Sequence, residues 1–468
     1  MNIVWTQYEQ KGNGMKRKEL LLHGVALLIA LVMFVESAPA ETTFDYGMNV
    51  RARHELWDNM FSLGTRQTTN TNYDRSFFRL ALFPWAKVEF DKNVTLYGRM
   101  VYEPQYSVGP YKYAPDFERF MDDDIAFDNL YIEWRKAFGL PVDFKIGRQD
   151  FLGKETYGDR FLIFDGTPND GARTNYHNAA RARIHFDEKN SLDLLYINNP
   201  AYDHVLTLVH ARVSRQLNPS NEQGAVAYGR FKPFEQVDLE PYYMYKHEDQ
   251  IIGQTTPELD LHTIGMRAVL TLGNSKLRGE FAHQFGEYAT GRKREGNGGF
   301  VIVSHRFAEV ALKPEIELGY VYLSGDKNPT STTAKMTAWN PLFQRAPFFN
   351  AEVIAWPLAY EQAKNGGVGY WTNMSNIMVR SRFTFSEQTN LFLQYWHMRA
   401  NQLSQGLPTW LFSNNSKERG NLVTGQLNHE FSKKLDGFIQ AEYFMPGDFY
   451  VQNAKNSLFI RTQLTYKF

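Results

Sequence analysis

Leu458-Phe459-Ile460-Arg461-Thr462-Gln463-Leu464-Thr465-Tyr466-Lys467-Phe468 closes the chain. Leu458, Ile460, Leu464, Tyr466 and Phe468 share one parity with Thr462, while Arg461, Gln463, Thr465 and Lys467 hold the other. Side chains alternate across a strand, so one face of this segment is apolar and the other is wet. The pattern recurs at the opposite end of the chain. There Phe44, Tyr46, Met48, Val50, Ala52, His54 and Leu56 interleave with Asp45, Asn49, Arg51, Arg53 and Glu55. Phe78, Leu80, Leu82, Pro84, Ala86, Val88 and Phe90 do the same against Arg79, Lys87 and Glu89. About 18 such runs can be marked, each roughly 9–14 residues, against ~5–6 for a strand of an ordinary globular protein. A tilted strand needs ~9–11 residues to cross a bilayer.

The connections alternate between tight and long. Eight are tight or nearly so, at 91–93, 136–141, 187–190, 232–236, 273–275, 308–313, 386–389 and 432–434. Nine are long, near 57–75, 104–124, 151–177, 200–222, 248–259, 287–297, 325–374, 400–418 and 446–456. Short turns at one end and long loops at the other describe an outer-membrane barrel. The expected fold is therefore all-β: one transmembrane antiparallel barrel of about 18 strands with long extracellular loops. The terminal Phe468, on the apolar face of its strand, is the contact expected to engage the barrel-assembly machinery. A secreted sandwich or β-helix is the alternative, but its strands should be shorter and its outward face should not be the aliphatic one.

Composition agrees. The chain of 468 residues has no formal net charge, no cysteine, 15% aromatic residues and 22% charged residues. Without cysteine there is neither a disulfide scaffold nor a thiolate metal site. The mean hydropathy is negative, which excludes a polytopic helical membrane protein. Balanced charge argues against nucleic acid as a partner. One segment alone is apolar enough to enter a bilayer as a helix. Met15-Lys16-Arg17-Lys18 is a basic start, Leu20 to Val35 is apolar apart from His23 and Gly24, and Ala38-Pro39-Ala40 offers small residues for cleavage. Residues 1–40 thus read as a secretory signal peptide with its natural start at Met15, leaving 41–468 as the barrel. Of the 51 basic and 51 acidic residues, four and three fall within 1–40, so the remainder is one charge acidic of neutral.

Eighteen strands at ~4.8 Å spacing and ~40° tilt enclose a wall roughly 35 Å across. Wall side chains cannot fill that width, so the interior is water-filled or plugged by loops. Assigning the polar parity to the interior gives a basic excess. Arg51, Arg53, Arg79, Lys87, Arg99, Arg135, Lys145, Arg181, Arg183, Arg230, Arg267, Arg278, Arg380, Arg382 and Arg461 stand against Glu89, Glu103, Glu133, Asp193, Asp238, Glu240, Glu280, Glu317 and Glu442. Other acids, such as Asp116, Glu118 and Asp122-Asp123-Asp124, fall in loops. Arginine suits bidentate contact with carboxylates, and a basic lumen in a near-neutral chain implies an anion pathway. These arginines could equally pair with luminal carboxylates and stiffen the wall.

Signals of chemistry are poor. No Ser elbow, HExxH, Walker or Rossmann pattern appears, so no enzyme activity, cofactor or metal is expected. Asn297-Gly298-Gly299 and Gly366-Gly367 read as loop flexibility, and His54, His262, His283 and His397 fall on the lipid parity. A barrel enzyme and a sealed adhesin are the rival classes; a general porin is the rival within the channel class.

Further motifs stand at Ile146-Gly147-Arg148-Gln149, Tyr157-Gly158-Asp159-Arg160, Asp165-Gly166-Thr167 and Gly171-Ala172-Arg173-Thr174. Ser324-Gly325-Asp326, Asn340-Pro341-Leu342-Phe343, Glu442 and Pro446-Gly447 follow. Through these the sequence resembles the alginate export proteins of the bacterial outer membrane. The resemblance implies an 18-stranded monomeric barrel, set in outer-membrane lipid, with a basic constriction that passes an anionic oligo- or polysaccharide of the polyuronate kind. It points to Arg79, Arg99, Arg148, Arg181, Arg183, Arg380, Arg382 and Arg461 as the selectivity lining. By strict alternation Arg148 faces lipid, so a luminal Arg148 requires a bulge at Gly147.

Overall fold

Alternation at period two over long runs leaves each strand one apolar face, and a closed ring is the one arrangement that pairs every backbone edge. The computed structural model describes residues 42–65, 74–90, 92–108, 120–164, 176–211, 216–344, 351–364 and 371–468. The signal segment 1–40, Asp116, Glu118, Gly366-Gly367 and the motifs at 165–167 and 171–174 lie outside the described residues. In chain order the strands are β1 (Thr43–Asp58), β2 (Arg75–Glu89), β3 (Val94–Val101), β4 (Gln105–Ser107), β5 (Phe120–Met121), β6 (Ile125–Trp134) and β7 (Val142–Gln149). Then come β8 (His177–His185), β9 (Ser191–Asn199), β10 (Thr207–Val209), β11 (Glu222–Phe234), β12 (Val237–Glu248), β13 (Leu259–Leu272) and β14 (Ser275–Tyr288). The last are β15 (Lys293–Arg306), β16 (Glu315–Leu323), β17 (Met374–Thr384), β18 (Thr389–Arg399), β19 (Glu418–Ser432), β20 (Leu435–Pro446) and β21 (Ser457–Lys467).

Eighteen of these form the wall, each antiparallel to its neighbours, and β1 pairs with both β2 and β21 to close the ring. The short β4, β5 and β10 are additions to β2 and β6. The outer face carries the exposed aliphatic and aromatic residues, as in β16, where Ile316, Leu318, Tyr320 and Tyr322 point out. Short turns join the strands at one end. Gly273, at φ +56°, opens the two-residue turn between β13 and β14, where the turn that matches strand twist needs a positive φ.

Two expectations fail here. The connection between β14 and β15, expected to be long across 287–297, is a turn at 289–292 with Gly291 at φ +83°. Asn297-Gly298-Gly299 is therefore strand rather than flexible loop. The reason is packing: a Cβ on Gly298 would lie 2.8 Å from the ring of Trp339, so the bare backbone lets an inward-folded segment lie flat on the wall. Second, the interior is not polar throughout. Toward the long-loop end the inward residues are apolar, among them Tyr228, Met244, Leu261, Val321, Trp396 and Phe444. They pack against Phe151, Phe161–Phe164, Trp339, Leu342, Phe343 and Ile354 of the connecting segments, and against Leu358 of the one described α-helix, α1 (Ala355–Lys364). Burying this surface holds the long connections inside the barrel rather than above it.

Candidate pore lining

Below that apolar plug, the inward wall carries buried guanidinium groups, and every sector brings carboxylates to them. On β21, β1 and β2, Arg461 donates to Glu55 at 2.9 Å, and Arg79 lies between Glu55 at 3.4 Å and Glu103 at 2.8 Å. Arg51 reaches the other oxygen of Glu103 at 2.7 Å, and Arg53 donates to Gln463 at 2.5 Å. Glu352, from the short helical turn before α1, adds a carboxylate to Arg461 at 3.2 Å. On β3 and β6, Arg99 clamps Asp128 with contacts of 2.8–3.0 Å and also touches Asp150 at 3.1 Å.

The next sectors share one inward segment, 150–164. On β8, β9 and β11, Arg183 and Arg230 hold Asp193 at 2.6 Å each, while Glu155 of the segment pairs with Arg181 and, at 3.4 Å, with Arg183. From β13 to β17, Arg267 and Arg278 both reach Asp159 of the same segment, at 2.6 Å and 2.9 Å. Arg267 also meets Glu240 at 3.1 Å, and Arg278 shares Glu317 with Arg380. The remaining arc is poorer in charge: Gln394, Thr424 and Gln440 line β18, β19 and β20, and the one wall carboxylate beside them, Glu442, accepts from Gln440 and, at 2.9 Å, from the Val353 amide. The interior is thus a belt of guanidinium forks facing an amide and hydroxyl strip. Such forks bind planar carboxylates bidentately, which is the chemistry this surface offers to a solute.

The alginate export family model matches residues 42–459, almost the whole described barrel. The chain belongs to the alginate export family. By fold it is similar to OpdD of Pseudomonas aeruginosa (TM-score 0.56, 11% identity, 92% of this chain and 99% of that one). It is also similar to OpdF of the same organism, solved in complex with glucuronate (TM-score 0.53, 11% identity, 91% and 97% covered). The outer-membrane protein OpdK of P. aeruginosa gives a TM-score of 0.54 at 10% identity, covering 91% and 98%. No curated protein matches by sequence. This family member is an outer-membrane β-barrel channel of porin type.

Within this family member, the resemblance-derived arginines fall into different settings. Arg79 and Arg461 meet on Glu55, and Arg181 and Arg183 meet on Glu155. Arg99 lies on Asp128, and Arg380 on Glu317. Arg382 stands apart, exposed near the short-turn end. Arg148 does turn inward: Gly147 adopts φ +129°, and Arg148 is buried with Asp203 at 2.7 Å, Asn178 at 2.9 Å and the Phe127 carbonyl at 2.9 Å. Burial raises the Asp203 carboxyl, but the Arg148 guanidinium, the Leu206 amide and the Thr207 hydroxyl together hold it below its ordinary range. Arg148 accordingly clasps the 200–209 segment to the wall.

Sequence parity finds Glu55, Glu103, Asp193, Glu240 and Glu317 but misses several other acids. Asp128 faces inward because the β3–β6 register shifts between Arg99 and Met100, leaving it as the extra residue of a bulge. Asp150 falls on the lipid parity of its strand, and Glu155, Asp159 and Glu352 fall in the long connections, yet they reach wall arginines as much as 119 residues away. A usable signal was present: Tyr242-Tyr243-Met244, Phe300-Val301-Ile302 and Val321-Tyr322-Leu323 are apolar on both parities, which marks a wall covered inside as well as out.

Proposed function

We propose that this channel passes anionic saccharides of the polyuronate type, passively, along its guanidinium belt. The observation that carries the reading is geometric. From β21 around to β17 the buried arginines present forks at successive positions, so a carboxylate leaving one fork meets another. Binding sites in series, each weak enough to release, are what conduction of a charged chain requires. The amide and hydroxyl strip opposite suits sugar hydroxyls. OpdF, the similar fold solved with glucuronate, supports the same class of solute. In this reading the signal segment is removed before Glu41, Phe468 contacts the assembly machinery, and the barrel works as a monomer with its long-connection end facing the cell exterior.

The test is a planar-bilayer recording of the purified protein and of R380Q/R382Q. The wild type should prefer anions, and uronate oligomers should block its small-ion current. Glu317 keeps Arg278 at 3.0 Å when Arg380 is lost, so the double variant should fold while both properties weaken. A cation-selective wild type, or selectivity and block unchanged in the variant, sinks the assignment and favours a general porin.

A further inference from the structure

Residues 155–159 lie along the belt in the order carboxylate, carbonyl, ring, carboxylate. Glu155 sits between Arg181 and Arg183, and the Thr156 carbonyl accepts from Arg230 at 3.1 Å. The Tyr157 ring has the Arg230 guanidinium 4.8 Å from its centroid and donates its hydroxyl to Asp193 at 2.8 Å. Asp159 then sits between Arg267 and Arg278. We infer that this stretch is an internal competitor for the channel's own solute: a peptide segment holding, with its two carboxylates, the forks that an acidic saccharide must occupy. The inference rests on the polyuronate reading and deepens it.

Three observations set the stretch apart from an ordinary strut. Its flanks, Phe151 and Phe161–Phe164, are buried in the plug and the Tyr157 ring joins them, whereas Glu155, Thr156 and Asp159 meet wall arginines through polar contacts. Gly153 at φ +59° precedes it and Gly158 at φ +58° lies within it, both in a backbone conformation that side chains disfavour. Gly158 also packs so closely that a Cβ there would lie 2.8 Å from Glu280, so the wall is shaped to receive the segment. The wall arginines have carboxylates of their own, Asp193 for Arg183 and Arg230, Glu240 for Arg267 and Glu317 for Arg278. Glu155 and Asp159 are additional, and both come from one short segment of a connection rather than from the wall. A polyanion that displaces them exchanges one set of charge-assisted hydrogen bonds for another, without leaving buried guanidinium groups unpaired.

The experiment compares E155Q/D159N with a wall control of equal charge change, E240Q/E317Q, in planar bilayers. The wild type and both variants are titrated with the same hexuronate oligomer. If the segment competes, the half-blocking concentration falls by about tenfold in E155Q/D159N and distinctly less in the control. Equal shifts in the two variants mean that net charge alone is at work, and no shift in E155Q/D159N means that the carboxylates are struts; either result overturns the inference while leaving anion selectivity standing. A wild type that is cation-selective and unblocked overturns the polyuronate reading and this inference with it. Heat-modifiable gel migration establishes folding, and the single variants E155Q and D159N, each expected to move the same way by less, serve if the double variant does not assemble.

Discussion

Gly147→Ala tests whether the break in strand parity, rather than the arginine itself, places Arg148 inside. A Cβ at Gly147 would lie 2.2 Å from the Leu130 carbonyl oxygen and 2.8 Å from the Tyr131 Cα, both backbone atoms of the paired strand β6. Two responses are open to the chain. It can keep φ near +129°, which for a residue with a side chain costs about 1–3 kcal/mol, and must also open the β6–β7 ladder to relieve the contact. Or residue 147 can revert to ordinary strand geometry, which carries Arg148 to the lipid face. An outward Arg costs roughly 2–4 kcal/mol at mid-bilayer and less toward the interface. Asp203 would then stay buried without its guanidinium, and removing one partner of a buried pair costs about 3–5 kcal/mol.

Either response predicts a loss of about 3 kcal/mol or more. Gly139→Ala is the matched control: its φ is +73°, but nothing lies within 4 Å of the added Cβ. That change should cost roughly 1–2 kcal/mol, from backbone conformation alone. Both are measured by urea unfolding of barrels folded into lipid vesicles, followed by tryptophan fluorescence. Equal losses in the two variants would show that the β6–β7 contact yields easily and that Gly147 does not set the direction of Arg148.

Gly298→Val inserts methyl groups where a Cβ already approaches the Trp339 ring to 2.8 Å, so the inward segment should lift off β15; single-channel conductance should change while heat-modifiable migration persists. The depressed Asp203 carboxyl contributes stability that is fully present above its unfolded value of ~3.9 and is lost as pH falls through its lower folded value. The protection of the Leu206 amide, taken relative to its intrinsic exchange rate, should therefore fall on acidification below about pH 4 in the wild type and change much less with pH in D203N. Epitopes placed at 104–124 and 325–374 should be reached by antibody on intact cells, whereas those at Asn93 or Lys433 should not. Mass measurement of the outer-membrane form should give a chain beginning at Glu41.

The wall was legible because one physical requirement, burying one face in lipid while the other meets water, writes itself at period two. Seventeen connections and their alternation could be marked, and the one misread, at 287–297, failed for an instructive reason. Gly296 and Gly298 look like turn residues in sequence, yet they are the flat floor on which Trp339 rests. A glycine pair cannot say whether the chain bends there or another chain segment approaches there.

The interior was legible on its basic side and only in part on its acidic side. Arginines sit on wall strands in register, so parity finds them, and with them Glu103, Asp193, Glu240 and Glu317. The rest of the lining arrives by two routes that parity cannot follow. Asp128 is inward because a bulge adds a residue to β6, and Arg148 is inward because Gly147 breaks the alternation one strand later. Glu155, Asp159 and Glu352 arrive on connections drawn in by apolar residues, and those connections carry no period at all. A basic excess counted on the wall is therefore an excess before the loops fold. Once Glu155 and Asp159 are in place, the forks of Arg183, Arg267 and Arg278 are already occupied, and what a passing anion meets is an exchange of carboxylates rather than a bare positive surface. If the channel passes polyuronate as proposed, its selectivity depends on how readily a short inward segment gives up its contacts, and that quantity lies in residues 150–164 rather than in the number of arginines.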